Sequence, residues 1–351
     1  MPDFVVTAFA LIVLLGTLVL FHELGHFTAA KLFRVKVDEF AFGFGPKWIR
    51  LFKRGDTEYT IHPVPLGGFV KLAGMEPGEE DLPNGFNCKP VWQRIIIYFA
   101  GPFMSFVLAC LVFSAMGLTT GLPVTDDIVN RVGFVQPDSV ADKAGLRAGD
   151  TIIAISGEKI DSGNEMVDII HRSANKPLVL TIMRGGKEIT IHATPKVGEL
   201  GGKKVGLLGF IPTPKLQRVG FGESLSYGID KTQVFVVGIV TSIFSRDVAE
   251  SVGGPLAIAD ATQTSVKSGP FVYLQLMAIL SLSLGVINLL PIPILDGGAI
   301  MLLIGEGIKG RRLSPRTIEM AQRIGLILIA AIFVSIMYLD LSRVATNKLF
   351  R

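Results

Sequence analysis

The sequence predicts a polytopic α-helical membrane protein, with about four transmembrane helices and a water-facing α+β domain inserted between the second and third. Three observations predict it. Of 351 residues, 49% are apolar and only 18% charged, against about a quarter charged in soluble domains, and the mean hydropathy is +0.51. Four stretches lack charge over lengths that matter for a bilayer. Between the second and third of them, residues 119–222 carry 13 basic and 11 acidic side chains, a soluble composition that marks a domain boundary on each side.

These stretches are 4–21 (FVVTAFALIVLLGTLVLF), 95–118 (IIIYFAGPFMSFVLACLVFSAMGL), 269–305, whose one charge is Asp296, and 324–339 (IGLILIAAIFVSIMYL). Crossing hydrocarbon takes about 20 apolar residues as helix, because the backbone there must satisfy its own hydrogen bonds. The expected spans are therefore about 4–30, 94–118, 271–305 and 321–340. The first has no basic residues before it and runs on into HELGHFTAA, so it reads as a retained span rather than a cleaved leader. The run 233–244, flanked by Lys231 and Arg246, is too short to cross and suits an interfacial or packed helix over about 223–246. It lies in an expected linker, 201–268.

Residues 31–50 contain Lys31, Arg34, Lys36, Lys47 and Arg50, and residues 306–323 contain Lys309, Arg311, Arg312, Arg316 and Arg323. The positive-inside rule places both loops in the cytoplasm, and so the 119–268 segment outside. Arg343, Lys348 and Arg351 in the tail oppose this mildly. A net charge of +4 is too weak a field for a nucleic-acid partner. Cys88 and Cys110 make no disulfide framework.

Within the insert, VGFV (132–135) precedes PDSVADKAGLRAGDTIIAISGEKI (137–160), TIIAIS and PLVLTIMR read as strands, and EMVDIIHRSA reads as a helix,. AGLRAGD, a strand and SGEKI together resemble the PDZ domain of bacterial membrane and periplasmic proteases, over about 130–196 of an insert bounded at 119–200. PDZ domains take up an extended peptide as an added strand. A rigid spacer that filters bulky ectodomains is the other reading, and both stay open.

HELGH at 22–26 sets His22 and His26 one helical turn apart on one face, where two imidazoles can share a metal ion with Glu23 beside them as general base. Lys31 is the first full cation after the motif, so His22 lies roughly 14 Å inward of it at 1.5 Å per residue. Ionisable groups there are costly and are functional by default; a harmless position among head groups is the bland alternative. Zinc needs a third protein ligand and an open position. Asp296, in NLLPIPILDGG (288–298), is the only charge between Lys267 and Glu306, and a metal would offset its cost. Pro291 and Pro293 break the helix just before it. Capping of the following helix is the alternative role for Asp296.

FHELGH (21–26), GGFVKLAG (67–74), QRIIIYFAGPFMS (93–105), GGPLAIA (253–259) and NLLPIPILDGG follow one another in the order of the site-2-type intramembrane metalloproteases. The whole chain resembles their bacterial branch, of the regulator of sigma-E protease type, with one PDZ domain rather than two. The resemblance implies one zinc ion held by His22, His26 and Asp296, with Glu23 as base. It implies cleavage in or near transmembrane segments of single-span proteins, such as anti-sigma factors or remnant signal peptides, in the bacterial cytoplasmic (inner) membrane.

A helix hides its own peptide bonds, so such a substrate must be extended to be cut. Residues 36–74 alternate like strands, and the resemblance favours a membrane-associated β-hairpin whose edge pairs with substrate, with Gly67 and Gly68 allowing close backbone approach. Asn288 offers amide donors for substrate backbone or an oxyanion, beside Pro291 and Pro293 at the break. His62 reads as a surface histidine, and Gly253, Gly254 and Pro255 as fixing local geometry. A PDZ scaffold with a vestigial metal site, or a metal transporter, would use the same residues differently, but transport wants more midplane polar groups than the spans contain.

Overall fold

The computed structural model describes residues 2–75, 82–136, 138–200, 203–243, 245 and 253–346; Pro137, Arg246, Lys348 and Arg351, used above, lie outside them. The chain divides into two compact units, residues 1–117 with 221–351, and residues 118–220. In the first, helix α1 (Pro2–Leu32) is unbroken. It is apolar on all sides, the pattern of a helix in lipid: Leu14 and Leu18 are buried while Phe4, Val5 and Phe9 stand exposed.

Strands β1 (Val37–Phe44), β2 (Ile49–Arg54), β3 (Thr57–Ile61) and β4 (Val64–Leu72) follow. They form one sheet in the order β2-β3-β1-β4, which corrects the single hairpin expected for 36–74. β2 and β3 make a tight hairpin around Gly55, and β3 then returns parallel to β1, with Phe40 opposite Tyr59. Local alternation signals strands but carries no trace of a parallel partner. β4 pairs antiparallel with β1 and lies at the edge of the sheet. Helix α2 (Val91–Thr120) completes this half, with Pro102 inside it.

The second unit contains β5 (Leu122–Val135), α3 (Val140–Lys143), β6 (Thr151–Ile155), β7 (Glu158–Lys159), α4 (Gly163–Arg172), β8 (Leu178–Arg184), β9 (Lys187–Ala193), β10 (Lys196–Leu200), β11 (Lys203–Leu207) and β12 (Phe210–Gln217). The main sheet runs β12-β5-β6-β8-β9 with β7 on β6, and β10 and β11 form a separate hairpin. Ile152, Ile155, Met166, Leu180 and Ile182 make its core. α4 starts where Ser162 accepts from the Glu165 amide and Glu165 accepts from the Asp161 amide, a reciprocal cap. Asp150 is buried and accepts from Arg184 Nε and Nη2, each at 2.7 Å, and from the Arg147 amide at 2.8 Å. Burial pushes its carboxyl up, but these bonds outweigh burial and hold it below the ordinary value,. The domain ends later than 200: β12 pairs with β5, so the first part of the expected linker belongs to it. Pro212 and Pro214 make FIPTPKLQ read as a linker, yet an edge strand tolerates proline.

The first unit resumes with α5 (Phe221–Ile243), α6 (Pro255–Ser268), α7 (Pro270–Asn288), α8 (Asp296–Lys309) and α9 (Pro315–Ala345). α5 packs along α2, with Phe235 stacked on Phe113 at 5.5 Å. The rest of the expected linker contains α6, whose first amides point at a buried side chain: Asp340 of α9 accepts from Gly254, Leu256 and Ala257 at 3.0–3.2 Å. At Gly254 a Cβ would collide with Asp340 and Ile336, so this contact needs a glycine there. Among the described residues, four helices are long and apolar enough to cross a membrane: Phe4–Leu32, Val91–Thr120, Pro270–Asn288 and Pro315–Ala345. The run expected as one span over 271–305 is instead two helices, α7 and α8, separated by residues 289–295, because Pro291 and Pro293 remove donors and block a helical turn. The last helix begins earlier than 321, its polar first turns held by the Ser314 cap and an Arg323–Glu319 pair.

Candidate active site

α1 carries His22 and His26 one turn apart, their Nε2 atoms separated by 3.3 Å. Asp296 opens α8, and its Oδ2 lies 3.2 Å from His22 Nε2 and 3.5 Å from His26 Nε2. The helix's N-cap position is Leu295, with no side-chain cap, so the carboxylate is turned toward the histidines rather than onto its own helix. Two histidines one turn apart thus meet an aspartate 270 positions further along the chain, in a group that could hold a metal ion.

The other ring nitrogens are already engaged. His26 Nδ1 donates to the carbonyl of Ile97 at 2.8 Å, and His22 Nδ1 faces Ser105 Oγ at 3.2 Å. A proton on Nδ1 leaves the Nε2 lone pair bare. With that tautomer at both rings, two such lone pairs converge on a carboxylate oxygen that is buried without a hydrogen-bond partner among the described residues. An orphaned buried acceptor is costly, and a cation at the centre relieves it. The spacing fits as well: tetrahedral coordination with bonds of about 2.0–2.1 Å sets ligand atoms roughly 3.3–3.4 Å apart.

The site opens on a cavity of about 420 Å³ lined by residues of α1, β4, α2 and α7 and by the 289–295 turn. Glu23, Asn288, Gly67 and Gly68 all line it; Pro291 and Pro293 do not. The prolines act through the backbone break instead, where Ile294 takes φ +102°, uncommon for a β-branched residue and typical of functional sites. The Pro293 carbonyl presses onto Gly325 of α9, in the space a Cβ would fill. Gly67, at φ +136°, lies under the ring of Phe44, and a Cβ at Gly68 would sit 2.7 Å from the Ala41 carbonyl and 3.7 Å from Glu23 Cγ. The sheet edge therefore approaches Glu23 closely because it has no side chains there. His62 is not a surface residue: it is buried, bonded to the Gly45 carbonyl at 2.8 Å and in contact with Thr60 and Glu39, partners 2–23 positions away that a linear reading does not connect.

Sequence reasoning passed over the backing of the site. Ile97, Gly101 and Ser105 recur every four residues on one face of α2. A Cβ at Gly101 would collide with the His26 ring and lie 2.9 Å from His22 Nε2; one at Gly25 would collide with the Ala100 carbonyl. α1 and α2 touch backbone to backbone at this level. The signal available was small residues at i and i+4 in an apolar run, the pattern that lets membrane helices approach closely.

The chain belongs to Peptidase family M50, whose family model matches residues 10–332. It is 30% identical to zinc metalloprotease RasP of Geobacillus kaustophilus, over 95% of this chain and 97% of that protein. It is 34% identical to a putative zinc metalloprotease of Clostridium perfringens, over 93% and 96%. With the regulator of sigma-W protease RasP of Bacillus subtilis it shares 30% identity, over 97% and 99%. The PDZ domain of the SdrC-like protein of Listeria monocytogenes is 26% identical over 26% of this chain and 93% of that one, with a TM-score of 0.21.

Proposed function

We propose that this chain is a zinc-dependent intramembrane endopeptidase that hydrolyses peptide bonds in or near the transmembrane segments of single-span proteins. His22, His26 and Asp296 hold the ion, and Glu23 is the general base. The observation that carries this reading is the convergence of two bare imidazole nitrogens and an orphaned carboxylate oxygen at 3.2–3.5 Å, beside Glu23, in a cavity set among helices fit to cross a bilayer. Membership of a peptidase family with relatives called zinc metalloproteases supports it.

Zinc, when bound, supplies Lewis acidity that makes water nucleophilic near neutral pH and polarises the scissile carbonyl. Glu23 takes the proton of the attacking water and returns it to the departing amine. β4 presents its free edge to the cavity, so an unwound substrate segment adds there as a further strand and is held extended across Glu23. Asn288, in the lining of the same cavity, donates its amide to the substrate backbone or to the developing oxyanion. The burial of the site keeps stray water out and limits cleavage to segments that can unwind into it.

The positive-inside pattern of residues 31–50 and 306–323 orients the inserted domain to the periplasmic side of a bacterial cytoplasmic membrane. There the domain captures peptide or screens out bulky ectodomains. One relative is named for regulating sigma-W, which points to a membrane-bound anti-sigma factor as one substrate class. The test uses the full chain in detergent: bound zinc is measured and a single-span substrate offered. Glu23→Gln should keep the metal and lose cleavage; equal cleavage by that variant would refute the mechanism.

A further inference from the structure

Arg94 and Glu306 form a buried ion pair that the chemistry above does not use. Arg94 Nη2 meets Glu306 Oε1, Nη1 lies 3.5 Å from Oε2, and Nε donates to the Lys89 carbonyl at 3.0 Å. Both residues are under 9% exposed. A buried pair of this kind roughly breaks even against apolar residues of the same volume. In a bundle poor in charge, adhesion alone does not account for it, whereas a forked, directional contact fixes position.

What it would position follows from where its two ends sit. Glu306 lies ten residues beyond Asp296 on α8, about 15 Å along the axis. The buried residues of α8 are Gly297 and Gly298 in its first turn and Leu303 and Glu306 further along. The two glycines pack on the turn that precedes the helix, at the carbonyls of Leu289, Leu290 and Ile292, so they move with it. Met301, Ile304 and Ile308 face outward. Besides the turn, which the Pro293 carbonyl sets against Gly325 of α9, the far end of the helix is therefore a second anchor of its axial placement. Arg94, in turn, is on α2 one turn before Ile97, whose carbonyl holds His26, and on the same helix as Ser105 against His22.

We propose that Arg94 and Glu306 are positioning residues for the metal site: the pair locks the axial register of α8 so that Asp296 reaches the two histidines. α2 then serves as one reference frame for all three ligands, through Ser105, Ile97 and Arg94. A metal site tolerates ligand displacement of only about 0.2 Å, so an unpinned α8 should show first as weakened metal binding. This rests on the zinc reading above.

The test is a chelator competition giving the zinc dissociation constant of the full chain in detergent, with thermal melting of the metal-free protein alongside. Glu306→Gln and Arg94→Gln should each weaken zinc binding about 10–100-fold. The reversed pair, Arg94→Glu with Glu306→Arg, should recover it to within about threefold. Asp340→Asn, which loosens a buried contact elsewhere, should lower the melting temperature and leave zinc affinity within about threefold. Should a single variant fail to fold, the apolar pair Arg94→Met with Glu306→Leu restores stability and should still bind zinc more weakly. Wild-type zinc affinity in a folded Glu306→Gln or in the apolar pair overturns the proposal and leaves the protease reading standing. A wild-type chain that binds no zinc overturns both.

Discussion

Replacing Gly101 by alanine adds one methyl group at the most crowded point of the candidate site. That carbon would lie 2.5 Å from His26 Cε1 and 2.9 Å from His22 Nε2. His26 Nε2 is nearer still, and ordinary contact begins near 3.5 Å, so His22 must retreat by roughly 0.6 Å and His26 by more than roughly 1.0 Å. They have little room to do so. Both rings are tethered through Nδ1 to α2 itself. A retreat of that size is several times the roughly 0.2 Å a metal site tolerates, and loss of an orienting contact weakens metal binding about 10–100-fold, or about 1.4–2.7 kcal/mol. Overpacking should cost the metal-free fold about 1–3 kcal/mol as well. Zinc titration against a chelator, with melting curves taken with and without metal, separates the two effects. Wild-type zinc affinity and wild-type cleavage in Gly101→Ala would mean that the imidazoles are not the ligands, and the proposed site would fall.

Asn288→Ala should lower turnover about 10²-fold, the scale of a lost oxyanion donor, with zinc content unchanged; loss of zinc would sink the proposed role. Gly325→Ala should destabilise by about 1–3 kcal/mol through collision with the Pro293 carbonyl, although the same change in an open helix stabilises by about 0.5–1 kcal/mol, so the sign of the melting shift decides. In the inserted domain, Arg184→Met should cost about 3 kcal/mol near pH 7 by leaving Asp150 buried and unpaired. Because the Asp150 carboxyl is held below its ordinary value, the pair contributes in full above about pH 4. That contribution is lost as pH falls through the lowered value. Melts of the wild-type and Arg184→Met chains from pH 7 to pH 2 should therefore converge in acid, and a constant difference would count against it.

The chemical core of the site was legible because its residues break the composition around them. HELGH declares two histidines by helical spacing, and Asp296 is conspicuous as a lone charge in a long apolar run. What holds them is harder to read. The partner of His26 is a backbone carbonyl, which no residue type advertises, and the space for both rings is a missing side chain at Gly101. The parallel pairing of β1 with β3 and the late edge strand β12 depend on partners distant in the chain. His62 looked exposed because the groups that bury it, Glu39 and Gly45, are brought to it by that same non-local pairing. Nothing in the sequence singles out Arg94 or Glu306, since an ion pair 212 positions apart leaves no local trace.

That separation also sets a timetable for biosynthesis. His26 and Asp296 are 270 residues apart, with a whole folding unit between them. At roughly 5–20 residues per second, the ribosome needs roughly 14–54 s to supply the carboxylate after the histidines have left it. A nascent chain therefore carries its histidines and Glu23 into the bilayer while lacking the group that completes them. With the proposed ligand set, proteolytic competence would arrive only once the later helices are integrated and docked, and a stalled or truncated product lacking Asp296 would be inactive.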